Sequence, residues 1–314
     1  MKGKAECLSI GVDLGGTKVE AVAVRSGAST PSILARQRIA TERDLGYAHI
    51  VTQTRDIINA VAREAGFGVL PPVGVGMPGS ITHKRADGTT SDVPLVKNSN
   101  TTCLNGKPFR ADLERAVRGP VTFANDANCF ALAEATWGAG RDARTTFGVI
   151  LGTGVGGGIV LRDRDGSRHA WDGAQGIAGE WGHVVLDPKD GPPCYCGKRG
   201  CVETYLSGPA IAAGYETRTG TRLSAADIFA SSDRAATAFV RELLDIFGRA
   251  MANVIDILDP DVIVLGGGVS NATDFYDEGR RAIARWTFTD HLTTRLAKHE
   301  LGDSAGVLGA ALIA

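Results

Sequence analysis

The sequence predicts an α/β protein of two domains, and three observations carry that expectation. At 314 residues the chain exceeds what one hydrophobic core usually serves, and roughly 150 residues per domain is the ordinary division. Strand-like runs precede a helix in the order β-β-β-α-β. A strand, glycine turn, strand design then occurs twice, at GVDLGGTKVEAVAV (11–24) and GVILGTGVGGGIVL (148–161). A gapless overlay matches Gly11 with Gly148, Val12 with Val149, Leu14 with Leu151 and Gly15 with Gly152. Two Gly/Val-rich hairpins can share these identities by chance, so a duplicated unit is an expectation for the fold to test.

LSIGVD (8–13) and VEAVAV (19–24) flank the turn LGGTK, and ILARQRIA (33–40) completes a meander of alternating or apolar runs. From Tyr47 to Ala65, Ile50, Val51, Ile57, Ile58 and Val61 recur at helical spacing. PPVGVGMPGS then reads as a short buried strand ending in a Gly/Pro turn. The pattern restarts with VTFAND (121–126) as a strand, ANCFALAEATWG as a helix, and TTFGVILGTGVGGGIVLRD as two apolar runs about a glycine turn. Residues 162–204, rich in Gly, Asp, Pro and Cys, read as an irregular insertion. Helices follow from Ser207 to about Asp259, then the buried strand VIVLGGG (262–268) and a final helix in DSAGVLGAALIA. The expected domains are a small one over 1–120, joined by the helix 303–314, and a large one over 121–302 that holds the insertion.

Apolar residues make up 43% of the chain and charged ones 22%, with a net charge of -1, so electrostatics offers no reason to expect nucleic acid or an anionic membrane as partner. The N-terminal apolar run is broken at Asp13, and no stretch approaches the ~20 apolar residues that span a bilayer. A cytoplasmic protein with a small-molecule partner is expected. In that compartment Cys7, Cys103 and Cys129 read as free, mostly buried thiols.

The glycine segments suggest phosphate. GVGMPG (74–79) and GTGVGG (152–157) match GxGxxG, yet neither is expected to open a helix as a dinucleotide fingerprint must, and no Walker A sequence is present. A hairpin turn bare of side chains instead points backbone N–H groups at phosphate oxygens. In DLGGTK, Gly15 and Gly16 allow close approach, Thr17 adds a hydroxyl, Lys18 a cation, and Asp13 a ligand for Mg²⁺. A plain tight turn would explain DLGGTK alone. Further turns at Gly152, Thr153 and Gly154, and at Gly266, Gly267 and Gly268, favour the phosphate reading.

Asp126 ends a strand just before a helix, where α/β folds place their chemistry. An N-cap would be the plain explanation. The company of Glu180, His183 and Glu203 near irregular backbone favours instead a cluster of acceptors for a polyhydroxylated ligand, with Asp126 taking the proton of an attacking hydroxyl. A serine hydrolase is disfavoured because no G-x-S-x-G elbow exists.

CYCGKRGC lies downstream of His183, giving H-x(10)-C-x-C-x(4)-C with His183, Cys194, Cys196 and Cys201. One imidazole and three thiolates make a complete tetrahedral set for structural Zn²⁺. The odd number of cysteines in this cluster, three, and the expected compartment argue against a disulfide, and C-x-x-C is absent. Metal binding would order a loop too poor in apolar residues to fold alone, beside Glu180 and Glu203, and His183 could offer its second nitrogen to a substrate hydroxyl.

Together DLGGTK, GMPG, NDAN, LGTGVGGG, GEWGH, CYCGKRGCVE and DPDVIVLGGG resemble the ROK family of bacterial sugar kinases over essentially the whole chain. That resemblance implies the actin/hexokinase-like (ASKHA) fold, two ribonuclease-H-like domains with MgATP and sugar in the cleft, and a homodimer. It places the phosphate loops at Asp13 to Lys18 and Leu151 to Gly158, the catalytic base at Asp126, and the sugar contacts at Gly79, Asn100, Asn125, Asp126, Glu180, His183 and Glu203. Asn98 is the neighbouring choice to Asn100. KNSNTTCLNGKPF and KHELGDSAGVLGAA look most like fructokinases that also accept mannose, with Cys103 where tryptophan is expected. The expected reaction is therefore phosphorylation of D-fructose at its 6-hydroxyl by ATP. An N-acetylglucosamine or N-acetylmannosamine kinase, or a glucokinase, is the alternative. The family's sugar-responsive repressors carry a DNA-binding segment ahead of DxGGT, whereas twelve residues precede Asp13 here.

Overall fold

In the computed structural model, residues 7–27, 30–85 and 87–314 are described. The chain forms two units, Met1–Gly138 with Ala170–Ala178 and Asp303–Ala314, and Ala139–His169 with Gly179–Gly302. The first begins with a meander of β1 (Cys7–Leu14), β2 (Lys18–Ser26) and β3 (Ser32–Ala40), antiparallel throughout. Helix α1 (Tyr47–Glu64) buries Ile50, Thr54, Ile57, Ile58 and Val61, a stripe at helical period. Then come β4 (Val73–Met77), the hairpin β5 (Ser80–Lys84) and β6 (Thr90–Lys97), α2 (Phe109–Val117), β7 (Val121–Asn125) and α3 (Asp126–Trp137). β1 pairs parallel with β4, and β4 with β7, giving the order β3-β2-β1-β4-β7.

The second unit repeats this plan. β8 (Thr145–Leu151) and β9 (Val155–Arg162) form an antiparallel hairpin, and the short β10 (Arg168–Ala170) lies beyond β9. After α4 (Glu203–Leu206), α5 (Gly208–Thr219), α6 (Ala225–Ala230) and α7 (Arg234–Leu258), β11 (Val262–Gly266) pairs parallel with β8. A π-helical turn (Phe275–Gly279) leads into α8 (Arg280–Trp286), and β12 (Arg295–Lys298) pairs parallel with β11. The order β10-β9-β8-β11-β12 is that of the first sheet. The overlay that matched Leu14 with Leu151 aligns the last residues of β1 and β8, so the duplication is real at the level of topology.

The boundary expected between 120 and 121 cuts through the first sheet. β7 pairs with β4 from Val73↔Val121 to Met77↔Asn125, so 121–138 belong with the first unit. VTFAN reads alike as the start of a new sheet or the fifth strand of the old one, because a parallel strand's own residues carry no mark of the strand it pairs with. The β5–β6 hairpin, α8 and β12, which sequence reading left out, are short and have mixed burial.

Helix α9 (Ala305–Leu312) closes the chain against β1, β2, β4 and α3. Strand alternation sends Ile10, Val12 and Leu14 into the core with α1, so Gly11 and Asp13 face α9. The α3–α9 crossing needs glycine, since a Cβ at Gly309 would lie 1.8 Å from the carbonyl oxygen of Cys129. Among the described residues no helix is long and apolar enough to cross a membrane.

Candidate active site

In the first unit the β1–β2 turn is closed by Gly15 N–H donating to the Lys18 carbonyl at 3.0 Å. Thr41 braces it through Oγ1 to the Gly15 carbonyl at 2.7 Å and through its N–H to the Thr17 carbonyl at 3.0 Å. Asn100 stands beside this turn: a Cβ on Gly16 would lie 3.6 Å from Asn100 Oδ1, and 3.7 Å from an Arg43 guanidinium nitrogen that sequence reasoning did not single out. Gly79 holds φ +88° against Lys97 to Ser99, where any Cβ would meet the Lys97 carbonyl oxygen at 2.4 Å. Asn98 adopts a left-handed φ of 57° in the same loop.

Asn125 joins Gly79 to the catalytic candidate. Its Nδ2 donates to the Gly79 carbonyl at 3.0 Å, and its Oδ1 accepts from Ala127 N–H at 2.8 Å. Asn125 is thus the N-cap of α3, and Asp126 is the first residue inside the helix. The cap explanation for Asp126 therefore passes to its neighbour, although Asp126 Oδ1 also accepts from Ala127 N–H at 2.9 Å.

Asp13 is the most perturbed acid of this unit. Burial, then the carboxylates of Asp126 and Glu20, push it from the usual 3.8 up to about 7, against the opposing charges of Lys18 and Arg38. Glu20, its cross-strand partner, is ion-paired to Arg36 and Arg38, each at 2.6 Å. A third acid arrives from far along the chain. Asp172 accepts from Nδ2 of the buried Asn128 at 2.6 Å, and burial with Asp13, Asp126 and Asp172 nearby raises the Cys129 thiol. Sequence reading passed over Asn128 and Asp172, and their pairing across 44 positions left no local signal.

In the second unit the β8–β9 turn is held by Gly152 N–H to the Gly154 carbonyl at 3.0 Å, and α5 docks on it through Gly208 N–H to the Gly152 carbonyl at 2.8 Å. Glu203 reaches the same turn, its Oε2 accepting from Val155 N–H at 2.8 Å. The residue assigned to the sugar thus also braces a glycine loop. Gly152, Thr153 and Gly268 line one cavity of about 850 Å³ with Ala212, Phe229 and Val269. Gly154, Gly266 and Gly267 do not line it. Its mostly apolar wall beside a bare glycine turn suits a flat, hydrophobic ring system with an anionic tail.

Glu180 precedes a 3₁₀ turn (Trp181–His183), and Trp181 pins that turn to β9 through Nε1 donating to the Gly156 carbonyl at 2.8 Å. The side chains of His183, Cys194, Cys196 and Cys201 converge, their ligand atoms all within 4.8 Å of one another. His183 Nδ1 lies 3.6 Å from Cys194 Sγ, and Cys196 Sγ 3.6 Å from Cys201 Sγ. A tetrahedron with Zn–S bonds of about 2.3 Å has edges of about 3.8 Å, so the set fits zinc in both chemistry and size. Burial and the neighbouring sulfurs push the Cys201 thiol up to about 12, so it is a dication that would draw out the thiolate here. The other imidazole nitrogen, Nε2, is 3.0 Å from the Tyr195 hydroxyl. That contact occupies the atom expected to face a substrate hydroxyl, and Tyr195, standing between two cysteines, had not been singled out.

Comparison with known proteins agrees with the fold. The ROK family model matches residues 9–314. An N-acetyl-D-glucosamine kinase of Vibrio cholerae is 34% identical over 316 residues, covering 96% of this chain and 98% of the relative. The ROK hexokinase of Thermus thermophilus superposes with a TM-score of 0.81 at 31% identity, over 98% of this chain and 97% of that one. A ROK family glucokinase of Streptomyces griseus, solved with glucose and AMPPNP, gives 0.74 at 30% identity over 98% and 99%. With a matching model across almost its whole length and relatives above 30% identity aligned nearly end to end, the chain belongs to the ROK family.

Proposed function

We propose that this protein is a sugar kinase that transfers the γ-phosphoryl group of ATP to the primary 6-hydroxyl of a hexose, with N-acetyl-D-glucosamine as its substrate. The Vibrio cholerae relative, aligned over 96% of this chain, is the observation that carries the sugar assignment and favours it over the fructose expected from the sequence. Cys103 is in keeping with it. Half-buried against the core of the first unit in a 3₁₀ turn (Thr102–Leu104), it is small where a fructokinase is expected to carry tryptophan, so that feature of a fructokinase is missing.

Asp126 is the general base. It removes the proton of the sugar hydroxyl as the new O–P bond forms, while the bond from phosphorus to the bridging oxygen breaks and its electron pair leaves with ADP. Asn125 holds the start of α3 and the Gly79 carbonyl in fixed register, which sets the direction of the Asp126 side chain. Gly79 and Asn100 complete the sugar contacts proposed in this unit; Glu180 and Glu203 keep that role in the second on the resemblance, while His183, whose Nε2 faces the Tyr195 hydroxyl, is assigned to the metal alone. Asp13 and Lys18, with the N–H groups of the β1–β2 turn, are assigned to the phosphates. Mg²⁺, which Asp13 would hold when ionised, supplies neutralisation of the phosphoryl charge. Gly152, Thr153 and the cavity they line are assigned to the nucleoside. The thiolates act on the loop and take no part in the transfer.

The test is an ADP-release assay on zinc-replete protein with MgATP against N-acetylglucosamine, N-acetylmannosamine, glucose, mannose and fructose. The highest kcat/KM is expected for N-acetylglucosamine. A clear fructose preference would reverse the sugar assignment and leave the kinase intact, whereas no ADP release with any hexose would overturn both.

A further inference from the structure

Tyr195 is 81% exposed, yet it makes two directional contacts with one residue. Its hydroxyl lies 3.0 Å from His183 Nε2, and its ring meets the imidazole edge-on at 85°, with centroids 5.2 Å apart. An exposed tyrosine gains little from burial, so its orientation has to come from such contacts and from the backbone that carries it. That backbone is the Cys194–Cys196 segment, pinned by Cys194 N–H to the Lys198 carbonyl at 2.8 Å and Gly197 N–H to the Cys194 carbonyl at 3.0 Å.

The two imidazole nitrogens face different partners. Nδ1 is turned to the sulfurs, 3.6 Å from Cys194 Sγ, and Nε2 to the phenol. An imidazole that gives its Nδ1 lone pair to a metal is neutral and carries its proton on Nε2. That N–H then needs an acceptor, and the Tyr195 oxygen is within reach of it. The carbonyl of His183 is separately held by Lys198 Nζ at 2.9 Å, so the backbone and the ring of the one nitrogen ligand are braced from two points on the cysteine loop.

We propose that Tyr195 is the outer-shell partner of the metal-binding His183, accepting Nε2–H and so fixing the tautomer and ring plane in which Nδ1 presents its lone pair to zinc. The proposal rests on the zinc reading of the cluster. It makes Tyr195 a positioning residue whose hydroxyl, rather than its ring, holds the imidazole that binds the metal. The cysteine loop therefore contributes three thiolates and the atom that aims the fourth ligand.

Tyr195→Phe removes that hydroxyl and keeps the ring. Zinc affinity is measured by competition with a chromophoric chelator, alongside thermal midpoints with and without zinc. The variant is expected to lose roughly 10- to 100-fold in zinc affinity, the usual effect of removing an outer-shell partner. Its midpoint is expected to fall below that of wild type when zinc is present, and to equal it once the metal is stripped. Zinc affinity within twofold of wild type overturns the role of Tyr195 while leaving the metal site standing. A midpoint lowered equally in the metal-free chain also overturns it, because the loss would then belong to the ring packing. Wild-type protein that binds no zinc overturns the metal reading and this inference with it.

Discussion

The two sheets share one strand order and differ in what surrounds their glycine turns. The β1–β2 turn, DLGGTK, carries Asp13 and Lys18 and lies in the unit where Asp126 and Asp172 gather near Cys129. The β8–β9 turn, LGTGVG, carries no charge, opens on a largely apolar cavity of about 850 Å³, and has the thiol cluster as a neighbour in its own unit. A repeated strand order supplies a glycine turn twice, closed by a different backbone bond in each, and the side chains about the two turns differ in kind. On the proposed function, charge would serve the reacting phosphate and hydroxyl, and apolar surface the part of the nucleotide that does not react.

The largest effect expected from this division is at Asp126. Asp126→Asn keeps the shape of the side chain and removes the base, so turnover should fall by roughly 10²- to 10⁴-fold, the usual worth of general-base catalysis. Zinc content, assigned to the His/Cys cluster of the other unit, should stay at the wild-type level by metal analysis. Near-normal ADP release would refute the base assignment. Loss of zinc along with activity would mean that the substitution disturbs the fold rather than the base alone.

Much of this contrast is legible in the sequence, for a physical reason in each case. DLGGTK, LGTGVGGG and H-x(10)-C-x-C-x(4)-C are local, and spacing along the chain fixes what the backbone can present. The duplicated strand order is partly legible because β1 and β8 match from Gly11 to Leu14 and Gly148 to Leu151. What stays hidden is non-local. The Asn128–Asp172 bond joins residues 44 positions apart, and the exchange of the cap from Asp126 to Asn125 depends on backbone angles that the sequence does not print. Tyr195 was overlooked because an aromatic residue between cysteines looks like loop filler until the nitrogen it faces is known.

Asp13 gives a smaller effect with a definite sign. Its folded carboxyl titrates at about 7 against the usual 3.8, so the native state holds this proton more tightly than the unfolded chain does. The stabilisation it contributes is full below the ordinary carboxylate range and is lost as pH rises through 7. The thermal midpoint of metal-free protein should therefore decline between about pH 5 and 8, and Asp13→Asn should remove this group's part of the decline. Affinity for MgATP should run the opposite way, rising over the same interval as Asp13 ionises. A midpoint profile with the same slope in wild type and Asp13→Asn would remove Asp13 from the charged cluster.

The smallest effect probes how far the first unit extends. Ala170–Ala178 leaves the second sheet and belongs with the first unit, where Asp172 ties it to α3 and closes the segment on itself. Its carboxylate takes Asn128 Nδ2 at 2.6 Å, and its carbonyl takes Ala178 N–H at 3.0 Å. Asn128 is only 3% exposed, and its Oδ1 has no hydrogen-bond partner among the described residues. Asp172→Ala would leave the whole amide unpaired, at a cost of about 1–3 kcal/mol, which for a unit of this size is a midpoint lower by about 2–10 °C. Asp172→Asn keeps an acceptor in place and should recover most of that loss. Combining Asp172→Ala with Asn128→Ala should cost less than the sum of the two single changes, because either one alone already breaks the bond. Strict additivity, or a midpoint unchanged in Asp172→Ala, would mean that this bond does not hold 170–178 to α3. The acids beside Cys129 would then reduce to Asp13 and Asp126, the pair that the sequence alone had already marked.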